Sequence, residues 1–201
     1  MNFEALKKTL EDKSYIVNCF ETADDAAKYI NGAIDGKTVG MGGSVTIEEL
    51  GLFESLSEHN KVYWHARTYP DMNAAEVRTA ANSAEIYISS VNGLAETGEI
   101  VNIDGACNRV SSICYGHEKV YFVVGKNKIA PDYEAALWRA RNVAAPKNAK
   151  RLNKKTPCAV NADKCYNCSS PERICRVLSV WWTKPMVGEY EIVLINEELG
   201  Y

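Results

Sequence analysis

VGMGGSVTIEELG, residues 39–51, begins apolar, runs into Gly40, Gly42 and Gly43, and leaves through a polar segment into a helix-like repeat. Thr46 and Glu49 stand at capping-box spacing. Ile47, Leu50, Phe53 and Leu56 then recur on one helical face. A strand that ends in glycines and enters a capped helix is the first turn of a βα unit. Its backbone N–H groups and the helix N-terminus converge on one point, which favours phosphate or carboxylate. Glycines let a ligand approach the backbone, and the hydroxyls of Ser44 and Thr46 add donors. The pattern is neither a P-loop, since no lysine follows the glycines, nor the dinucleotide fingerprint, whose third glycine is missing. A tight turn without a ligand is the plainer reading. Crevices at this end of the strands are nevertheless where open α/β sheets bind.

The alternation continues on both sides. Phe3, Leu6 and Leu10 share a helical face, residues 15–20 (YIVNCF) read as a strand, and Thr22 caps a helix over 23–32. Strands follow at 38–43, 61–66, 85–91 and 99–104, with helices at 73–83 and about 107–114. KVYFVVG (119–125) is nearly continuous in apolar residues, as a strand buried on both faces requires. A helix over 132–144 is bounded by Pro146. The expected fold is α/β: a mostly parallel sheet with helices on both faces. Residues 1–145 form the main domain, 146–176 a basic and cysteine-rich extension, and 177–201 strands that pack back on the domain. VLSVWW (177–182) and YEIVLINE (190–197) read as a closing hairpin at one sheet edge.

At 201 residues the chain can bury a sizeable core, and 46% apolar with 24% charged residues suits a soluble globular protein. A net charge of -3 favours neither nucleic acid nor membrane as a partner. The first residues lack the apolar core of a signal peptide, and no apolar run reaches membrane-spanning length. The cytoplasm is the expected location, where thiols stay reduced and a disulfide framework is disfavoured.

Three further stretches bear on chemistry. In SVNGLAETGEIVNIDG (90–105), Glu96, Thr97 and Gly98 lie between two strand-like pieces. A carboxylate there can serve as nucleophile or general base, although the pattern alone reads as an exposed hairpin. In ACNRVSSICYGHEK (106–119), Asn108 and Arg109 offer donors at a helix start, and Arg109 can grip a carboxylate or phosphate bidentately. Cys107 and Cys114 there read as buried free thiols, and His59, His65 and His117 as structural or surface residues. The stretch 139–155 holds seven Lys or Arg and no acid, either a solvated linker or an electropositive rim for an anion. Beyond it Cys158, Cys165, Cys168 and Cys175 are spaced C-x6-C-x2-C-x6-C. The central C-x2-C knuckle can aim two thiolates at one ion, and four soft thiolates suit zinc or an iron–sulfur cluster. The spacing matches neither a ferredoxin nor a two-knuckle zinc ribbon.

GMGGSVTIEELGL, AETGEIV, CNRVSSICYGHEKVYFVVG and VLINEELGY together resemble the LUD-domain (lactate-utilisation) family, over roughly residues 1–145 and the last strand. The resemblance implies the fold shared by ribose-5-phosphate isomerase, glucosamine-phosphate deaminase and CoA transferases. By position, Gly40, Gly42, Gly43 and Ser44 would form its anion loop, and Glu96, Thr97 and Gly98 its acidic loop. It also implies a redox accessory role in L-lactate oxidation beside iron–sulfur partner proteins, with a small anionic metabolite as ligand. That company gives a 4Fe–4S cluster on the four cysteines a slight edge over zinc. The alternatives are an enzyme of the isomerase or CoA-transferase pattern with Glu96 as its working carboxylate and a structural zinc, and a binding subunit without chemistry. Homo-oligomerisation is left open.

Overall fold

A computed structural model describes residues 2–201. Among these residues six strands form one sheet: β1 (Ile16–Phe20), β2 (Thr38–Met41), β3 (Lys61–Trp64), β4 (Ile86–Ser90), β7 (Lys119–Gly125) and β10 (Glu189–Ile195). Every pairing is parallel and the order is β1-β10-β7-β4-β2-β3. A smaller sheet has the order β8-β5-β6-β9, formed by β5 (Gly93–Ala95), β6 (Ile100–Asp104), β8 (Ile129–Ala130) and β9 (Val177–Trp181).

The period of two along each strand separates two cores. Val120, Phe122 and Val124 of β7, with Ile192 and Leu194 of β10, share a core with Phe3 and with Leu6 and Leu10 of helix α1 (Glu4–Asp12). Tyr121, Val123, Val193 and Ile195 face the other way, toward Ala26 and Ile30 of α2 (Ala23–Ala33) and Leu52 and Leu56 of α4 (Leu52–Ser57). Helices on both faces therefore hold an all-parallel sheet, as the strand–helix alternation implies.

Local signals explain several boundaries. The Thr22 hydroxyl accepts the Asp25 N–H at the start of α2. Asn73 and Glu76 form a reciprocal capping box on α5 (Ala74–Asn82). Three expectations are corrected. The cap after the glycine loop is Ser44, not Thr46, and the helix there is two short ones, α3 (Val45–Glu49) and α4, broken where Gly51 turns left-handed at φ 62. The helix ahead of Pro146 does not stop. α7 (Tyr133–Arg139) passes through a π-helical turn at 140–144 into α8 (Ala145–Arg151), and Pro146, which cannot donate to a regular α-helical ladder, follows directly on that turn. Finally, β9 and β10 are not a hairpin. β9 pairs antiparallel with β6 in the small sheet, whereas β10 runs between β1 and β7. Six of the seven β10 residues are buried, the mark of an interior parallel strand.

Candidate functional site

Parallel strands end together, and at the carboxyl ends of β2, β4 and β7 a cleft of about 570 Å³ opens. Gly43 and Ser44 after β2, Ser90, Val91 and Asn92 at the end of β4, and Lys128 after β7 form one side. α6 (Asn108–Cys114) contributes Asn108 and Arg109, and Arg78 comes from α5. The far wall comes from Arg151 and Lys154 at the end of α8, and from Arg173 and Arg176. Seven cationic side chains thus line the cleft against two acidic ones, Asp104 and Glu172. Among the described residues none of the seven is in a salt bridge, although Lys37, Arg67 and Lys119 elsewhere all are.

Lys128 is the least expected of these. It leaves a short 3-10 turn at 126–128 and is 3% exposed. Its Nζ donates to Thr46 Oγ1 at 2.6 Å and to Ser90 Oγ at 2.7 Å. Both hydroxyl hydrogens go elsewhere: Thr46 donates to the Leu199 carbonyl at 3.2 Å and Ser90 to the Val123 carbonyl at 2.6 Å. Burial, followed by the charges of Arg139 and Arg109, brings the lysine down to about 7.

Arg109 has a different task from the one its sequence position suggests. Its two terminal nitrogens donate to the Ser90 carbonyl, Asn102 Oδ1, Asn92 Oδ1 and the Ile103 carbonyl. All four terminal N–H groups are committed, so the guanidinium rivets β4 to β6 and offers the cleft its charge, not a bidentate grip. Burial pulls its proton affinity down, and Asp104 opposes that. Arg139 is a second rivet, donating to the Asn127, Asn92 and Tyr201 carbonyls. Arg78 is freer: its Nε is buried without a partner.

Of the residues expected as an anion loop, Gly43 and Ser44 reach the cleft and Gly40, Gly42 and Thr46 do not line it. A Cβ on Gly40 would lie 2.3 Å from the Ala81 carbonyl oxygen, so this glycine serves the packing of α5 on β2. Gly42 packs against the Arg109 stem, and Thr46 touches the cleft through Lys128. With α3 five residues long, the field in the cleft comes from side chains and not from a helix terminus. Glu96, Thr97 and Gly98 lie outside the cleft. They form the tight turn between β5 and β6, with Gly98 at φ 94 and packed on Thr9 of α1 and on Lys13 just beyond it. The Glu96 carboxylate therefore stands apart from the cleft. The exposed-hairpin reading of this stretch is the one the backbone adopts. Cys107 precedes α6 in a left-handed conformation and Cys114 is exposed, so the two are not a buried pair.

The basic stretch divides: Arg151 and Lys154 face the cleft, while Arg141 turns to the cysteines. Cys165 and Cys175 share a second cavity of about 230 Å³ with Arg141, Arg173 and Arg176. Cys165 Sγ accepts the Asn167 backbone N–H at 3.3 Å and faces Arg141 at 3.7 Å. Cys158 pairs with the Thr156 hydroxyl, and Cys168 shares the loop that Arg173 pins through its carbonyl. Among the described residues no three His, Cys, Asp or Glu are gathered as a metal shell would require.

Lys128 carried one signal in the sequence: it follows the most clearly buried strand, at the end of the sheet where ligands bind. Arg78 carried none, because one arginine on an amphipathic helix looks like any solvated residue.

Residues 3–195 match the family model described as the LUD domain. Among solved structures, a DUF162 family protein from Deinococcus radiodurans aligns over 96% of this chain and 95% of its own, with a TM-score of 0.54 and 9% identity. At that identity the likeness concerns the fold alone. eIF2B beta from Chaetomium thermophilum aligns over 56% of this chain and 44% of its own, with a TM-score of 0.37 and 13% identity, too slight to bear on the fold. No curated protein matches the chain. Among the described residues no helix is long and apolar enough to cross a membrane.

Proposed function

The chain belongs to the LUD-domain family, associated with lactate utilisation, and we propose that it binds a small organic anion of the 2-hydroxy- or 2-oxo-acid class as an accessory to 2-hydroxy-acid oxidation. The observation that carries this reading is the convergence of seven cations without a salt bridge on one cleft at the strand ends. Unpaired cations in a partly desolvated crevice raise the local concentration of anions. A volume of about 570 Å³ admits a small metabolite. Arg78 keeps its Nε unpartnered, Arg151 adds charge from the rim while holding Asn148, and Gly43 leaves the backbone open to approach. Electrons would pass to partner proteins that hold iron–sulfur clusters.

Calorimetric titration with L-lactate, pyruvate and phosphate tests this. At least one should bind with one-to-one stoichiometry, more weakly as salt rises. Loss of a charged hydrogen-bond partner should weaken that binding about tenfold or more in Arg151→Ala. No binding by any of the three anions at low salt would remove the reading.

The cysteine segment supports a second proposal. Cys165 Sγ accepts the Asn167 N–H within a C-x2-C knuckle, and Arg141, Arg173 and Arg176 around it would offset the negative charge of a thiolate-bound metal. A 4Fe–4S cluster or zinc would need Cys158 and Cys168 brought to the cavity of Cys165 and Cys175, an arrangement not adopted here. Stoichiometric iron and sulfide in protein purified without oxygen, lost in Cys165→Ser/Cys168→Ser, would establish the cluster. Zinc would make the segment a structural staple, and neither metal would leave four free thiols.

A further inference from the structure

We propose that Lys128 is a nucleophilic amine that captures a carbonyl compound bearing an anionic group, forming a carbinolamine and then an imine at the floor of the cleft. This deepens the anion-binding reading and rests on it.

The argument begins with hydrogen-bond bookkeeping around Nζ. Thr46 and Ser90 commit their hydrogens to the Leu199 and Val123 carbonyls, so each hydroxyl can only accept from the lysine. A neutral amine has two N–H bonds and one lone pair. The two N–H bonds go to the two hydroxyls, and the lone pair is left directed away from both. Lys128 and Ser90 both line the cleft, so the remaining direction is the ligand's. No carboxylate touches Nζ, whereas Arg109 and Arg139 lie near enough to repel a proton. Glu49 is the one acid close enough to favour the proton, and burial with the two arginines outweighs it, the setting in which an amine reacts near neutral pH. The charges that suppress its proton also hold an anionic group beside it. An aldehyde or ketone with a carboxylate or phosphate is therefore the electrophile that the site suits.

The step balances without a redox partner. The Nζ lone pair attacks the carbonyl carbon, a C–N bond forms, and the carbonyl π pair becomes an alkoxide that takes up the proton displaced from nitrogen. The carbinolamine then loses its hydroxyl with the second amine hydrogen as water, leaving C=N. If the imine is protonated, its single N–H still finds one of the two hydroxyls.

Reduction with borohydride in the presence of pyruvate, and separately of dihydroxyacetone phosphate, reads the product as a stable secondary amine by peptide mass spectrometry. The expected result is one adduct per chain, on Lys128, with the arm that traps telling carboxylate from phosphate. Trapping should be half-maximal near pH 7 in place of the alkaline range of an ordinary lysine. Lys128→Met should abolish the adduct while keeping a cooperative thermal transition. A binding titration of the same two compounds runs in parallel. Binding without trapping on Lys128 overturns the imine and leaves the anion site. Adducts spread over surface lysines also overturn it. Neither binding nor trapping overturns both readings together.

Discussion

Lys128 is buried beside Arg109 and Arg139, and the unfolded chain would let it hold its proton up to the ordinary lysine range, while the fold lets go at about 7. Between those limits the unfolded state binds more protons, so this residue makes stability rise with pH from about 7 upward and lowers it below. Lys128→Met should therefore melt above the native protein at pH 7, with the gap narrowing toward pH 10, as thermal melts across that range would read. A gap that widens with pH would contradict the neutral amine. The glycines separate at the same scale. Gly40→Ala drives a Cβ to 2.3 Å from the Ala81 carbonyl oxygen and should destabilise by about 2–3 kcal/mol in a denaturant titration. At Gly43 the nearest atoms are the His65 ring at 3.4 and 3.5 Å, so Gly43→Ala should fold as before and weaken anion binding instead. Equal losses of stability at both positions would contradict this division of the loop into packing and ligand halves.

Elements were legible where one physical signal dominated. The apolar run of β7 and the Thr22 cap of α2 are local, and the sequence displays them in full. The pairing of β10 is not local. YEIVLI reads as a strand from its composition, but its place between β1 and β7 depends on a vacancy left by chain segments far from it. The site was legible by half for the same reason. Gly43, Ser44, Asn108 and Arg109 follow or begin elements at the strand ends, whereas the far wall arrives from 151–176 by tertiary packing. That wall yields a prediction of its own. Gly105 follows β6 directly and packs against the backbone of Ile174, where an added Cβ would meet the carbonyl oxygen at 2.7 Å. Gly105→Ala should push the segment carrying Arg173 and Arg176 off the sheet, weakening anion binding and speeding alkylation of Cys175. Unchanged affinity and alkylation would show that this segment does not shape the cleft.

At the scale of the whole molecule, charge is distributed unevenly and the fold explains why. The chain is net acidic at -3, yet this cleft is ringed by cations that, among the described residues, no acid meets in a salt bridge. Such an arrangement is costly by self-repulsion unless something anionic resides there part of the time. The parallel sheet concentrates it, because β2, β4 and β7 all deliver their following loops to one end. The rivets Arg109 and Arg139 then fix the β4–β5 junction from two sides, so the cleft is preformed and not assembled by its ligand. A crystal structure grown with pyruvate at a concentration that saturates the calorimetric titration tests the central claim most directly. The account predicts the anion between the Gly43–Ser44 backbone and Lys128, with its carboxylate toward the cleft's arginines. Pyruvate bound elsewhere on the protein, with only water in the cleft, would contradict it.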